Sequence, residues 1–308
     1  MAEYSAIALC GRAYMKRKSY SGYLFILPMM ILFAVFIVYP IVYNIRISFY
    51  DWNGISRTKV FVGLENYQTL IQDPVVKIIL KNFLIFAVCT ILIQAILGLF
   101  FANLLRRKLK FADLYRTLIY LPIVATPTIV GNIFSRILES NRGYLNEFLR
   151  AIHLESLCHS WLAEPKTALV FIIIINIWQW TGYSMLVYYT GMLNISEDVY
   201  EAAKIDGAGA FSQFFRITLP LLRGTHYTIF IMGMIGSLKT FDIPYVLTRG
   251  GPNHATEFFS TYINTQSFSL FNQGVSSAIV VVMFVIAMVI TAAQLYLYYH
   301  NDKDKDLA

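Results

Sequence analysis

Charge is scarce in this chain of 308 residues, with Asp, Glu, Lys and Arg together only 14%. A soluble domain of this length ordinarily carries nearer a quarter. Cysteine is scarcer: Cys10, Cys89 and Cys158 lie far apart, with neither metal-site spacing nor a disulfide framework. No G-x-x-x-x-G-K-[ST] run occurs, so the chain has no P-loop to cradle the phosphates of ATP. The histidines (His153, His159, His226, His254 and His300) are scattered, and His153 with His159 lacks the i,i+4 spacing of a helical metal pair. Among the acids only Asp242 falls inside an apolar run. Paired carboxylates, a serine beside a base and a metal cluster are all missing there, which argues against an intramembrane hydrolase. Basic residues are not interleaved with aromatics in the manner of a nucleic-acid stripe. The net charge of +7 fits anionic lipid instead.

Apolar residues are plentiful, at 57% with a mean hydropathy of +0.57, and they come in blocks. Six blocks approach the roughly twenty residues a spanning helix needs. They are Leu24–Ile45, Ile79–Asn103, Thr117–Ile137, Ala168–Met192, Thr225–Tyr245 and Val275–His300, with Pro122 and Pro127 interrupting the third. The expected fold is an all-α polytopic membrane protein with six transmembrane helices. Lys16-Arg17-Lys18 precede a run that continues without a small-residue cleavage site, so it reads as a retained first span rather than a removed signal. The organisation is then a tail at 1–20, a membrane domain at 21–300 and a tail at 301–308. Both termini share one side with connections 104–116 and 193–224. That side carries more than half of the 25 Lys and Arg, among them Arg12, Lys16, Arg106, Arg107, Lys110, Lys204, Arg216 and Lys303. The positive-inside rule places it in the cytoplasm.

One stretch between apolar blocks is patterned differently. Glu201 to Pro220 reads EAAKIDGAGAFSQFFRITLP. Asn194 and Ser196 can cap a helix starting near Glu197, and Glu197 and Asp198 put negative charge on its positive end. Gly207 offers the backbone that ends it. Phe211, Phe214, Phe215 and Ile217 predict a second short amphipathic turn, stopped at Leu219-Pro220.

This pattern resembles the EAA loop of ABC-importer permeases: Glu-Ala-Ala, two residues, Asp-Gly-Ala, five residues, then Phe, Ile and Leu-Pro at fixed offsets. Gly224 stands where the family often has proline. Leu247-Thr248-Arg249-Gly250-Gly251-Pro252 resembles a segment before the last span in carbohydrate-importer permeases. Pro40, Ser48-Phe49, Asp51-Trp52 and Phe61-Val62-Gly63-Leu64-Glu65-Asn66-Tyr67 resemble that family's first span and external loop. Gly143-Tyr144-Leu145-Asn146 and Trp161-Leu162 resemble its second external loop. The likeness covers most of 22–300 and is nearest the maltose and glycerol-phosphate type, in a compact six-helix form.

The resemblance implies a maltose-type permease fold with a cytoplasmic coupling helix in the loop 197–222. Glu201, Ala202, Ala203, Asp206, Gly207 and Ala208 would couple to an ATPase. It implies as partners a second permease paralogue in a heterodimer, two ATPase subunits and an extracytoplasmic solute-binding protein. The chain itself would bind no cofactor, ATP and Mg being used by the ATPase. The cargo would be a sugar or oligosaccharide crossing a bacterial or archaeal inner membrane. Two other readings stay open: an ion-coupled secondary carrier, which would want inverted repeats and midplane ionisable groups, and a non-transporting assembly subunit.

Inside the spans, the polar aromatic load of block four suits a polyol. Asn176, Gln179, Trp180 and Tyr183 are candidates to line a pathway or to pack helices, while Tyr188 and Tyr189 fit the bilayer interface. In block five Lys239 and Asp242, three apart on one helical face, are candidates for a pathway or a structural ion pair. Gly233 and Gly236 would allow close approach of a partner helix, most simply from the second permease.

Overall fold

The computed structural model describes residues 21–106 and 110–306; Cys10, the basic cluster at 16–18, and Arg107 and Lys108 lie outside them. Helix α1 (Ser21–Phe33) passes through a π-helical turn, Ala34–Val38, into α2 (Tyr39–Ile47). A short antiparallel pair follows, β1 (Tyr50–Asp51) with β2 (Val60–Phe61), then α3 (Glu65–Gln72) and the long α4 (Pro74–Arg106). Next come α5 (Ala112–Val124), α6 (Pro127–Ile137), α7 (Tyr144–Ala151) and α8 (Pro165–Leu193). The patterned loop forms α9 (Glu197–Ile205) and α10 (Ala210–Gln213), and the latter runs through a π-turn, Phe214–Thr218, into α11 (Leu219–Leu221). The chain ends with α12 (Arg223–Leu238), α13 (Asp242–Leu247), α14 (Phe259–Asn264) and α15 (Gln273–Asp306).

Five helices or helix pairs are long and apolar enough to cross a membrane, and a sixth is counted only if α5 and α6 form one bent span. That bend measures 91° and falls inside the block Thr117–Ile137 that the sequence offers as the third span. Pro122 stays inside α5, and the turn falls at Ala125 and Thr126. Thr126 is extended, as the residue before Pro127 must be, and its side chain caps α6 by accepting from the Ile129 N–H. The fifth block is also broken: α12 stops at Leu238 and α13 begins at Asp242, so Lys239 and Asp242 do not share a helical face. The last helix runs six residues past the expected end at His300.

Proline explains two of the π-turns. Pro40 and Pro220 each lack an N–H and would clash with the carbonyl four residues back. Just before them, Tyr39 donates to the Ala34 carbonyl and Leu219 to the Phe214 carbonyl, five residues back. The wider turn admits the ring without breaking the rod. Leu219-Pro220 therefore does not stop the second helix of the loop, which runs on to Leu221.

The centre of the bundle is α4 against α8. They approach at Gly98, where an added Cβ would lie 2.7 Å from the Ser184 Cβ and 2.8 Å from the Met185 nitrogen. Around them Phe86, Ile172, Ile175 and Met185 are fully buried. Side chains facing away, such as Leu84, Val88, Ile96 and Ile174, are apolar and exposed, as a lipid-facing surface requires. Helix α1 stands apart with none of its apolar residues buried, from Tyr23 to Phe33.

On the side opposite the basic loops, buried asparagines organise the chain. The Asn66 amide donates to the carbonyls of Ser48 and Tyr50 at 2.8 and 3.0 Å. Asn82 does the same for Ala255 and Glu257, and Asn146 for Ser140 and His159, with Asn146 also accepting from the Trp161 indole at 2.9 Å. The segments containing Asn66, Asn146 and Trp161 in the sequence patterns above are thus loop fasteners. The Leu247–Pro252 segment is another: Thr256 bonds the Thr248 hydroxyl and the Gly251 carbonyl at 2.6 Å each.

Candidate functional site

Two places stand out, a cavity between the broken helices and the patterned loop. The cavity has a volume of about 460 Å³. Its walls are α4, α8, the start of α6 and the break between α12 and α13. Asn176, Trp180 and Tyr183 come from α8, spaced so that one helical face meets the space, and Lys239 and Asp242 come from the break. Trp180 and Tyr183 meet edge to face at 6.4 Å. Asn176 is held by Gln94, whose amide donates to its side-chain oxygen at 3.0 Å. Asp242 accepts from the Thr128 hydroxyl at 3.2 Å, linking the two breaks. Beyond that bond an added Cβ on Gly131 would lie 3.0 Å from the Val246 side chain, so α6 and α13 pack as one unit. Lys239 and Asp242 form no ion pair among the described residues.

Gln179 is elsewhere. It is 1% exposed, does not reach the cavity, and donates to the Ala125 carbonyl at 3.0 Å. That carbonyl sits at the end of α5, where no further helical turn supplies an N–H. Gln179 thus braces the 91° bend. Gly233 also departs from expectation: it fits against Ile91 of the same chain, 2.6 Å from an added Cβ, while Gly236 opens on the cavity. Sequence reading missed Gln94, Thr90, Thr128, Thr240 and Phe241 at the site; of these Thr128 and Thr240 were findable as polar residues bordering Pro127 and Lys239.

The loop forms as its residues dictate. Ser196 caps α9 by accepting from the Asp198 N–H, and Glu197 and Asp198 occupy the first turn. At the other end Gly207 has φ +78°, its N–H bonds the Lys204 carbonyl at 3.0 Å and the Ala208 N–H bonds the Ala203 carbonyl at 2.8 Å. This is a Schellman closure, which needs the left-handed glycine. One face of α9 turns inward: Tyr200 and Ala203 are buried, the Tyr200 hydroxyl meets Thr218 at 3.0 Å, and the Arg106 guanidinium lies 3.8 Å over its ring. The other face is bare, with Glu201, Ala202, Asp206 and Gly207 exposed, and beside them Ile205 and Phe211 are 87% and 78% exposed. Ala203 therefore belongs to the inner face, and Ala208 is half-buried behind Gly207. Behind the loop, Tyr188 is buried rather than at an interface, and its hydroxyl meets His226 Nδ1 at 2.8 Å.

A largely helical body with five or six candidate membrane spans, a polar-aromatic cavity and a capped, bare-faced helix between two of those spans has the build of a transport permease. Residues 94–303 match the family of binding-protein-dependent transport system inner membrane components, and the chain belongs to that family. It is 36% identical over 275 residues to the probable ABC transporter permease protein YurN of Bacillus subtilis (strain 168), covering 89% of this chain and 94% of that one. It is 34% identical over 301 residues to the lactose transport system permease protein LacF of Rhizobium radiobacter, covering 96% of this chain and all of that one (100%). Its fold matches, at TM-score 0.78 and 23% identity over 90% of this chain and 93% of the other, a chain of a bacterial alginate ABC transporter crystallised with an alginate pentasaccharide-bound periplasmic protein.

Proposed function

We propose that the chain forms half of the path by which a sugar or oligosaccharide, released from an extracytoplasmic solute-binding protein, crosses the inner membrane. The cavity carries this reading. Trp180, Tyr183 and Phe241 offer apolar ring faces for sugar C–H groups, and Asn176, Thr240, Lys239 and Asp242 offer donors and acceptors for hydroxyls. A relative named for lactose transport supports the substrate class. A second permease paralogue closes the open side in a heterodimer. Two ATPase subunits supply the drive from ATP and Mg, and the bare face of α9 meets one of them through Glu201, Ala202, Asp206 and Gly207, with Ala208 behind. Ala203 sets the seat of that face on the body. The excess of Lys and Arg beside this loop supports a cytoplasmic location for it and for both termini.

The test is purification of the tagged chain from its own cells. Recovery of a P-loop ATPase, a second permease and a binding protein that takes up a sugar bears the reading out. Gly207→Trp is expected to lose the ATPase while still inserting in the membrane. A Gly207→Trp complex that assembles and transports normally refutes the placement of the coupling face.

A further inference from the structure

His226 lies where the loop meets the membrane body. Helix α11 ends at Leu221, and Leu222, with ψ near 10°, separates it from α12. Leu219 is in the last turn of that rod, where carbonyls need partners from outside the helix. His226 Nε2 donates to the Leu219 carbonyl at 3.1 Å. In the neutral ring this leaves Nδ1 to accept from the Tyr188 hydroxyl, so one imidazole spans three segments. The junction is tight: an added Cβ on Gly191 would lie 2.5 Å from the Thr225 hydroxyl and 3.0 Å from Leu222. Tyr188 is five residues beyond Tyr183 on α8, and α12 ends one residue before Lys239, so both helices that His226 grips run on to the cavity.

We propose that His226 is the positioning residue through which displacement of the loop 197–222 is transmitted to the cavity. It fixes the end of the loop's second helix to α8 by its two ring nitrogens, and to α12 by being part of it. The inference rests on the coupling role given to that loop above. A pull on α9 is carried by the Tyr200–Thr218 contact to the π-turn, then to Leu219, and from Leu219 through the imidazole to Tyr188. Apolar packing around Leu222 holds position but lets helices slide, whereas directed bonds at both ring nitrogens fix the distance.

The test uses the complete importer complex in proteoliposomes, with ATP hydrolysis and substrate uptake measured together. Gln has amide atoms that can stand for both ring nitrogens, and Asn is too short to reach Leu219. His226→Gln is expected to assemble and keep uptake per ATP within about twofold of the parent. His226→Asn is expected to assemble and hydrolyse ATP at a comparable rate, with uptake per ATP down on the order of tenfold. Tyr188→Phe is expected to lower uptake per ATP in the parent and to add little to His226→Asn. Equal coupling in the Asn and Gln variants overturns the inference, and so does dissociation of the Asn complex, which would assign His226 to assembly. Neither result touches the importer reading, which the Gly207→Trp complex tests separately.

Discussion

Gly182 sets the distance between α8 and the first half of the bent pair. An added Cβ there would lie 2.4 Å from the Ile119 carbonyl oxygen and 2.8 Å from the Tyr120 Cα, both backbone atoms that cannot rotate away. Gly182→Ala must therefore push α5 outward by about 1 Å to restore ordinary contact. Overpacking of this kind costs about 1–3 kcal/mol. The displacement also falls on the brace, since Gln179 reaches Ala125 from the same helix only three residues earlier. A stretched bond there loses a further ~1 kcal/mol, the usual net value of a buried hydrogen bond. At roughly 2–4 °C per kcal/mol, the melting temperature of the detergent-purified complex should fall by several degrees. Gly236→Ala is the control: an added Cβ meets nothing within 4 Å among the described residues, so melting should not change while the cavity loses room. Scanning fluorimetry of the two variants beside the parent reads both outcomes. A Gly182→Ala complex that melts like the parent would refute the close approach of α5 and α8 at this point.

Other outcomes follow from single contacts. Asn146→Asp removes the donor that serves the Ser140 and His159 carbonyls, and a loss of about 2–4 kcal/mol should appear as poor folded yield. Tyr200→Phe deletes a buried bond to Thr218 but keeps the ring under Arg106, so the complex should assemble with stability lowered by about 1 kcal/mol in a denaturation series. Trp180→Ala should leave assembly and basal ATP hydrolysis intact and reduce uptake at least several-fold in proteoliposomes. Burial first, and then its bond to Asp73, holds the Tyr262 phenol above its ordinary value of 10.0. Its contribution to stability is thus complete below pH 10 and is lost progressively as pH rises from there through the higher folded value. Alkaline difference spectra should therefore show Tyr262→Phe and the parent ionising alike until exposed tyrosines have titrated; a difference at lower pH would count against this.

The spans and the loop were legible because each rests on local signals. Blocks of apolar residues mark the spans whatever their neighbours. Ser196, Glu197 and Gly207 announce the ends of α9 by capping chemistry alone. The 91° bend was not legible, since Pro122 and Pro127 look equally disruptive, and only the position of Ala125 against Gln179 selects the second. The break at Lys239–Phe241 was hidden for a similar reason: the three-residue spacing of Lys239 and Asp242 presumes a helix that the neighbouring Thr128 and Gly131 contacts draw apart. Gln179 shows the limit of composition. An amide beside two tryptophans reads as a ligand for hydroxyls until the carbonyl it serves is located.

The asparagine fasteners divide the protein into parts that answer to different solvents. The bundle is held by apolar packing, which detergent can soften by replacing lipid with mobile chains. Asn66, Asn82 and Asn146, themselves buried, instead close their loops with directed bonds to backbone oxygens. Conditions that loosen the helices should leave these loops folded, so limited proteolysis during extraction should cut on the side of the basic connections and spare the opposite rim. In the importer proposed above, a rim that keeps its shape while the body beneath it flexes would give the solute-binding protein the same landing place at every stage of the cycle.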